Sequence, residues 1–212
     1  MITIAISRGR LLSEAVELFK GAGIDIGEIE DDSRRLIFDF DEYGMKILII
    51  RPTDVPAYVE YGAADCGIVG KDTLLENKNN LYEPLDLGIG KCRLVVAGPS
   101  DFRISPSKTL RVATKYPRIT NDYFVKKGIS VEIVKLYGSL ELAPLAGLSD
   151  VIIDLTATGE TLKKNNLVEL EPIAEITARL VVNKVSMKVK SKEISGLIAK
   201  LKQARQINLP GS

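Results

Sequence analysis

The chain has 212 residues, of which 29 are lysine or arginine and 28 are aspartate or glutamate, so its formal net charge is +1. This balance argues against a strongly basic protein that binds nucleic acid. The sequence contains no histidine, which excludes an imidazole base, a histidine-based nucleophile triad and a histidine metal site. Any catalysis would therefore rely on arginine, lysine, carboxylates, hydroxyls and backbone amides.

The sequence also carries features that bear on the cellular compartment. The cysteines, Cys66 and Cys92, are too few for a disulfide framework. No apolar run approaches the roughly 20 residues that a membrane-spanning helix needs. Residues 1–6 form an apolar run of strand length without a basic region before it, which is not the pattern of a signal peptide. These features predict a cytoplasmic protein with no membrane partner.

Short apolar runs alternate with amphipathic stretches along the chain. Strands are expected, in chain order, at 2–6, 36–40, 45–50, 66–69, 92–97, 111–114, 131–135, 151–155, 167–176 and 178–182. Helices are expected at 11–19, 72–76, 121–127 and 141–146. Another is expected from a cap at Thr53 to Tyr61, one from the turn after residue 155 to about residue 165, and one at 192–206 after a cap at Ser191. The last two strands are expected to pair with each other in antiparallel fashion. The alternation predicts an α/β fold with mostly parallel strands, in two lobes that face each other across a cleft.

The strongest local signal lies at residues 154–162. A strand of buried type carries Asp154 near its end, and a turn with Thr156, Thr158 and Gly159 then opens a helix. Amides in such a turn and the positive end of the helix dipole suit a phosphate, and the carboxylate suits ribose hydroxyls. The alternative is an ordinary helix start whose threonines satisfy their own backbone.

Basic residues next to strand ends form a second signal. The arginines are Arg8, Arg10, Arg34, Arg35, Arg51 and Arg93. Arginine binds phosphate in bidentate fashion, so several arginines at one site would hold a polyanion, whereas each one alone could pair with a carboxylate or lie in solvent. Arg51 is followed by Pro52, and Asp54 could orient it.

Other polar residues leave two interpretations open. Lys115 and Tyr116 follow a strand and offer a cation and an aromatic face to a nucleotide, or they form an exposed turn before a proline. Glu141 is either a polar anchor or a residue that favours a helix start. The two cysteines are interpreted as small core residues.

Together these residues resemble one family, ATP phosphoribosyltransferase, the enzyme that opens histidine biosynthesis. The family signature is a glutamate, five residues, a glycine, a small residue, a strand with an aspartate, and Thr/Ser-Gly-x-Thr-Leu. It stands here as Glu141, Gly147, Ser149, Ile152, Asp154, Thr158, Gly159, Thr161 and Leu162. Further segments typical of the family lie at 8–11, 34–37, 51–56, 65–70, 92–94, 113–117 and 138–144.

The resemblance implies an α/β fold with two lobes, like that of type II periplasmic binding proteins, with a central cleft. Lobe I would hold residues 1–90 and 181–212, and lobe II residues 91–180 with the phosphoribosyl-phosphate loop. The chain resembles the short form of the family, which lacks a histidine-sensing domain. The resemblance to the short form implies that the chain forms a homodimer and assembles into a hetero-octamer with a regulatory subunit related to histidyl-tRNA synthetase.

The resemblance also implies a reaction, in which ATP and 5-phosphoribosyl-1-pyrophosphate give 1-(5-phosphoribosyl)-ATP and pyrophosphate. Mg²⁺ is expected as cofactor, held mainly by the substrate phosphates. The catalytic residues implied are Arg51 and Arg35. Those implied to bind phosphoribosyl pyrophosphate are Glu141, Asp154, Thr156, Ala157, Thr158, Gly159, Glu160 and Thr161. Those implied to contact ATP or pyrophosphate are Arg8, Arg10, Arg93, Lys115 and Tyr116.

The alternative is a non-catalytic two-lobe protein that binds a solute or senses an effector. A solute-binding protein is expected to carry an export signal, which residues 1–6 do not resemble. A transcription regulator is expected to carry a helix-turn-helix, and the sequence shows no segment for one.

Overall fold

A computed structural model describes residues 1–27, 29, 34–105 and 108–208, and only the backbone of residues 207 and 208. The chain divides into two units. As far as their residues are described, the first holds Met1–Leu74, Lys78–Gly90 and Thr177–Ser212, and the second holds Leu75–Asn77 and Lys91–Ile176. The contacts place the return to the first unit at Thr177, ahead of the expected residue 181, because the strand that begins at Ala178 pairs in the first unit's sheet.

Strands and helices alternate along much of the described chain, with runs of consecutive strands between them. The strands are β1 (Ile2–Ser7), β2 (Ile37–Phe40), β3 (Met45–Ile50), β4 (Cys66–Gly70), β5 (Tyr82–Asp86), β6 (Cys92–Gly98), β7 (Leu110–Thr114), β8 (Val131–Lys135), β9 (Val151–Thr156), β10 (Val168–Ile176) and β11 (Ala178–Val182). The helices are α1 (Arg10–Gly21), α2 (Val55–Glu60), α3 (Lys71–Glu76), α4 (Pro117–Lys126), α5 (Leu142–Leu145), α6 (Glu160–Lys164), α7 (Lys184–Val189) and α8 (Ser191–Asn208).

The first unit is built on a sheet with the strand order β2-β3-β1-β4-β11-β5. Helices α1 and α8 cover one face, and α1 buries Leu12, Ala15, Leu18 and Phe19 because these positions recur on one side of a helix. Helix α2 covers the other face, where Val55 and Val59 pack against strand residues. Both faces are therefore buried, which explains the nearly continuous apolar character of β1.

The second unit is built on a sheet with the strand order β10-β6-β9-β7-β8. Strand β6 sends Leu94 and Val96 into the core beneath α4, and sends Val95 and Ala97 into the core beneath α5 and α6. The face of Val95 and Ala97 is the one that carries the candidate site.

The prediction of mostly parallel strands is wrong. Strand β1 runs parallel to β3 and β4, and β7 runs parallel to β8 and β9, but the remaining pairs in both sheets are antiparallel.

The prediction that the last two strands pair with each other is also wrong. Strand β10 pairs with β6 in the second unit, and β11 pairs with β4 and β5 in the first. Only Thr177 lies between β10 and β11, and one residue without turn chemistry cannot reverse the chain as a hairpin loop of two or more residues does. The chain therefore continues from one sheet into the other.

Smaller differences concern caps and missed elements. Asp54, not Thr53, precedes α2, and Ser191 is the first residue of α8 rather than its cap. Strand β5 was not expected, because Pro84 and the charged residues in it hide an edge strand. Helix α7 was not expected either, and the Asn183 side chain caps it by accepting hydrogen bonds from the amides of Val185 and Ser186.

Within the described residues, no helix combines the length and the apolar character that crossing a membrane requires.

Asp65 is a buried carboxylate that ties the first unit together. It accepts hydrogen bonds from the Thr3 amide at 2.8 Å, from Ser186 Oγ at 2.7 Å and from Lys190 Nζ at 2.7 Å. Burial raises the pKa of Asp65, but the hydrogen bonds from Lys190, Ser186 and Thr3 outweigh it, so the pKa lies below its usual value. Burial of the neighbouring Cys66 thiol, together with the negative charge of Asp65, raises the pKa of that thiol to about 12. Cys66 therefore stays a protonated core residue.

We predict that Asp65→Asn lowers the free energy of unfolding at neutral pH by about 1–3 kcal/mol, because the charged hydrogen bonds are lost. A lowered pKa in the folded state adds stability above the ordinary value of 3.8, and this stability is lost as the pH falls through the folded-state pKa. The difference between wild type and variant should therefore shrink between about pH 5 and pH 2. Urea unfolding at several pH values measures it.

Asp101→Asn is the matched control, since Asp101 is exposed and has no hydrogen bond or ion pair with any described residue. It should leave stability unchanged at every pH. An Asp65→Asn deficit that stays constant down to the acid end of the range would contradict the assignment.

Candidate active site

A cavity of about 170 Å³ lies in the second unit, where β9 ends and α6 begins. It is lined by Val95, Ala97, Glu141, and residues 154–162. All eight residues that the sequence assigns to phosphoribosyl pyrophosphate, namely Glu141, Asp154, Thr156, Ala157, Thr158, Gly159, Glu160 and Thr161, line this one cavity. The fold thus brings Glu141, which precedes α5, to the turn after β9.

The turn itself has the backbone geometry of a tight strand-to-helix connection. Gly159 has φ 78° and ψ 1°, a left-handed backbone conformation that residues with a β-carbon rarely adopt. Thr156 Oγ1 accepts a hydrogen bond from the Gly159 amide at 3.0 Å, and Thr158 Oγ1 accepts a longer one from the Glu160 amide at 3.4 Å. In this structure the threonines therefore satisfy part of their own backbone, as the alternative interpretation expected.

The amides of Ala157 and Thr158 lack such partners in the described chain, unlike the amides of Gly159 and Glu160. Neither donates a hydrogen bond to any residue that the structure describes. The turn thus offers unpaired amides together with hydroxyls that can rotate toward an anion.

Lys115 and Asp154 meet because their strands are neighbours. Strands β7 and β9 run parallel, with Thr114 opposite Ile153, so the residues that follow lie at the same edge of the sheet. Lys115 Nζ lies 3.1 Å from Asp154 Oδ1. The same oxygen accepts a hydrogen bond from the Leu155 amide at 2.8 Å, which leaves Oδ2 without a partner among the described residues.

Lys115 does not itself line the cavity, and neither do Arg93 and Tyr116, which were also predicted to contact ATP or pyrophosphate. Arg93 lies opposite Thr156 in the β6–β9 pair and forms an ion pair with Glu169, with Nη2 at 2.8 Å from Oε2. Tyr116 is only 5 % exposed and packs in the core beneath α4, while Lys115 Nζ lies 5.2 Å from its ring centre. Its ring therefore offers little surface to a nucleotide in this structure.

Three arginines predicted for the site, Arg8, Arg35 and Arg51, lie at one end of the first unit's sheet. Arg8 and Arg51 follow β1 and β3, which run parallel with Ser7 opposite Ile50. Arg35 precedes β2, which is antiparallel to β3, and the Ile49 amide donates to the Leu36 carbonyl, so Arg35 lies at the same end. Its Nε donates to the Ile37 carbonyl at 2.6 Å, and its guanidinium lies 4.7 Å from the Phe38 ring centre.

Arg51 is exposed, and its side chain forms no hydrogen bond or ion pair within the described part of the chain. Asp54 instead accepts a hydrogen bond from Thr53 Oγ1 at 3.1 Å, so the expectation that Asp54 orients Arg51 is wrong. Arg10, at the start of α1, pairs with Glu14 one turn later, at 3.5 Å.

A protein-built metal centre does not emerge from the described residues, since nowhere do three of their carboxylates and thiols converge. Asp154 and Glu141 nevertheless place two carboxylates in the cavity lining. Oxygen donors of this kind suit Mg²⁺ that arrives with phosphate ligands of its own.

Thr114 contacts the backbone beside the Lys115–Asp154 pair, and sequence reasoning assigned it no role of its own. It ends an expected strand and lies in the family segment 113–117. Its hydroxyl donates to the Ile153 carbonyl at 2.9 Å and accepts from the Tyr116 amide at 2.9 Å. A hydroxyl residue at the end of a buried strand, directly before Lys115, was the available signal.

Comparisons with known proteins agree with the motifs. The model of the ATP phosphoribosyltransferase family, HisG, matches residues 51–203. An ATP phosphoribosyltransferase from Citrifermentans bemidjiense is 57 % identical over 206 residues, which are 95 % of this chain and 97 % of that protein.

Solved structures give the same picture for the fold. The structure of an ATP phosphoribosyl transferase (HisG:HisZ) complex from Thermotoga maritima matches with a TM-score of 0.83 and 37 % identity, over 98 % of this chain and 100 % of that one. The substrate-binding protein of an amino acid ABC transporter matches with a TM-score of 0.61 and 15 % identity, over 97 % of this chain and 93 % of its own. The second likeness shows a shared fold alone, that of two-lobe binding proteins.

Proposed function

This chain belongs to the ATP phosphoribosyltransferase family, and we propose how its residues carry out that activity. The reaction joins ATP to 5-phosphoribosyl-1-pyrophosphate and releases pyrophosphate, the first step of histidine biosynthesis. One observation supports the assignment of the site most strongly: the eight residues expected to bind phosphoribosyl pyrophosphate line one cavity.

The 5-phosphate of the sugar donor binds at the turn from Thr156 to Thr161. The unpaired amides of Ala157 and Thr158 donate to its oxygens, and the two threonine hydroxyls that now accept from the turn rotate to donate as well. Phosphate suits the unpaired amides, because hydrogen bonds to a charged acceptor are stronger than those to a neutral one.

Asp154 and Glu141 serve the ribose hydroxyls. Asp154 already shares one oxygen with Lys115 and the Leu155 amide, so the other oxygen is available to accept from a hydroxyl. An ion pair on one oxygen keeps the carboxylate charged and fixed in direction, which orients the sugar for attack.

The chemical step needs no base. Nitrogen N1 of the adenine ring attacks the anomeric carbon of the ribose with its own lone pair, and the bond to the pyrophosphate oxygen breaks with inversion. The nucleophile loses no proton in this attack, which is consistent with a sequence that has no histidine. The barrier depends instead on the negative charge that builds on the departing pyrophosphate.

Arg51, and with it Arg35, stabilises that charge. The Arg51 guanidinium has no partner in the described part of the chain, so it can bind an oxygen without first breaking an ion pair. A cation that contacts the leaving group where charge develops stabilises the transition state. Arg8, Arg10 and Lys115 complete the contacts to ATP and pyrophosphate, whereas Arg93 is paired with Glu169 and the Tyr116 ring is buried.

Mg²⁺ fits the available donors. The substrate phosphates would hold it mainly, and a carboxylate oxygen of Asp154 or Glu141 that does not bind a ribose hydroxyl would add a further ligand. When bound, the ion offsets negative charge on the phosphate groups.

The chain works in a larger assembly. The complex from Thermotoga maritima pairs HisG with HisZ, and we propose that this chain forms a homodimer that assembles with a regulatory subunit related to histidyl-tRNA synthetase into a hetero-octamer. The free thiols Cys66 and Cys92 suit the cytoplasm, where thiols stay reduced.

We predict that Gly159→Val raises the KM for phosphoribosyl pyrophosphate by about tenfold to a hundredfold, since charged hydrogen bonds at the turn are lost. Steady-state kinetics with the sugar donor varied measures it. Gly128→Val is the matched control. Gly128 has a similar φ of 69°, open space around it and the same unit, but it lies outside the cavity lining. An unchanged KM in the Gly159 variant would remove the turn from the substrate site.

We predict that Arg51→Ala lowers kcat by roughly 10²–10³, the cost of losing one donor to developing charge. Lys46 is a cation on β3, the strand that precedes Arg51, and its side chain pairs with Asp39 at 3.2 Å, so Lys46→Ala should leave kcat within about twofold of wild type. Pre-steady-state kinetics at saturating substrates measures both. A loss in the Arg51 variant as small as that of the control would show the assignment to be wrong.

We predict that the chain forms a dimer alone and a heavier species with the regulatory subunit. Analytical ultracentrifugation of the chain, of the subunit and of their mixture measures the masses. A mixture that sediments as its two separate components would contradict the proposed assembly.

A further inference from the structure

We propose that Thr114 is a positioning residue for the sugar donor, acting through the Lys115–Asp154 ion pair. The proposal rests on the proposed function, because it assumes that Asp154 binds the ribose. The Thr114 hydroxyl forms hydrogen bonds with the backbone of Ile153, which precedes Asp154, and of Tyr116, which follows Lys115.

Thr114 is the last residue of β7, and it lies opposite Ile153 on the parallel neighbour β9. Its side chain is fully buried. The hydroxyl donates to the Ile153 carbonyl at 2.9 Å and accepts from the Tyr116 amide at 2.9 Å. One donated and one accepted hydrogen bond link two strands and the turn that follows one of them.

These two hydrogen bonds bracket the ion pair in the sequence. Asp154 follows Ile153, whose carbonyl the hydroxyl holds, and Lys115 lies between Thr114 and Tyr116. The Lys115 and Asp154 side chains then meet at 3.1 Å. The hydroxyl therefore fixes the backbone from which both side chains start, although Thr114 does not line the cavity itself.

The position of that ion pair matters to the cavity. Asp154 Oδ1 already accepts from Lys115 and from the Leu155 amide, so these contacts set the direction of Oδ2. A shift in the Lys115 backbone would turn the carboxylate, and small misplacements of a binding group have large effects on a reaction. A purely structural threonine would change stability without this effect.

The test uses Thr114→Val, which keeps the shape of the side chain and removes the hydroxyl, in the full-length chain with its regulatory subunit. We expect the KM for phosphoribosyl pyrophosphate to rise at least about fivefold, the effect of roughly one hydrogen bond, while the KM for ATP stays within about twofold. Thr114→Ser keeps the hydroxyl and should restore the wild-type KM. If the valine variant does not fold, Thr114→Ala provides the same comparison.

Thr120→Val is the matched control. Thr120 is also a fully buried threonine of the second unit, but its hydroxyl finds no hydrogen-bond partner among the residues that the structure describes. Its replacement should leave both KM values unchanged. An equal rise in KM for the Thr120 and Thr114 variants, or no rise for Thr114→Val and Thr114→Ala, would overturn the proposal.

A double-mutant cycle with Lys115→Met tests whether Thr114 acts through the ion pair. The double variant should show a KM no more than about twofold above that of Lys115→Met, because the second change has no pair left to misplace. Additive effects would overturn the proposal. Asp154→Asn separates this proposal from the proposed function. If that variant has a normal KM for phosphoribosyl pyrophosphate, the ribose assignment itself fails. If its KM is raised while that of Thr114→Val is normal, only the role of Thr114 is overturned.

Discussion

The structure of the candidate site depends on the placement of one strand, β9. Val151, Ile152 and Ile153 are fully buried, and β9 is paired with β6 on one side and β7 on the other. Because β9 is paired along both edges and buried, the position of its end is fixed. The turn that follows it therefore starts at a fixed position as well. Packing of ordinary aliphatic residues thereby decides where a carboxylate and several backbone amides meet.

The chemistry follows from what this arrangement contains and from what the sequence lacks. Without histidine, the chain has no side chain whose ordinary pKa lies near neutral pH, and a reaction in which N1 of adenine attacks with its own lone pair does not need one. Binding of anions and stabilisation of the charge on pyrophosphate are the remaining tasks. Backbone amides, threonine hydroxyls and arginines supply both, and their charge state does not change over the physiological pH range.

The sequence predicted which residues come together better than it predicted how the strands pair. The signature from Glu141 to Leu162 predicted a set of residues that the fold does gather, because it combines a buried strand, a glycine with φ of 78° and a helix start in one short segment. The pairing of β10 and β11 could not be predicted in the same way, since partners of a strand are set by residues far away in the chain. Thr114 escaped notice for a similar reason: its role depends on Ile153, which lies 39 positions away.

The most direct test of the central claim is a crystal structure of the chain with bound phosphoribosyl pyrophosphate. The account predicts that the 5-phosphate lies within hydrogen-bond distance of the amides of Ala157 and Thr158, with the ribose hydroxyls at Asp154. A sugar donor bound elsewhere, with the turn from Thr156 to Thr161 unchanged and its amides unoccupied, would contradict it.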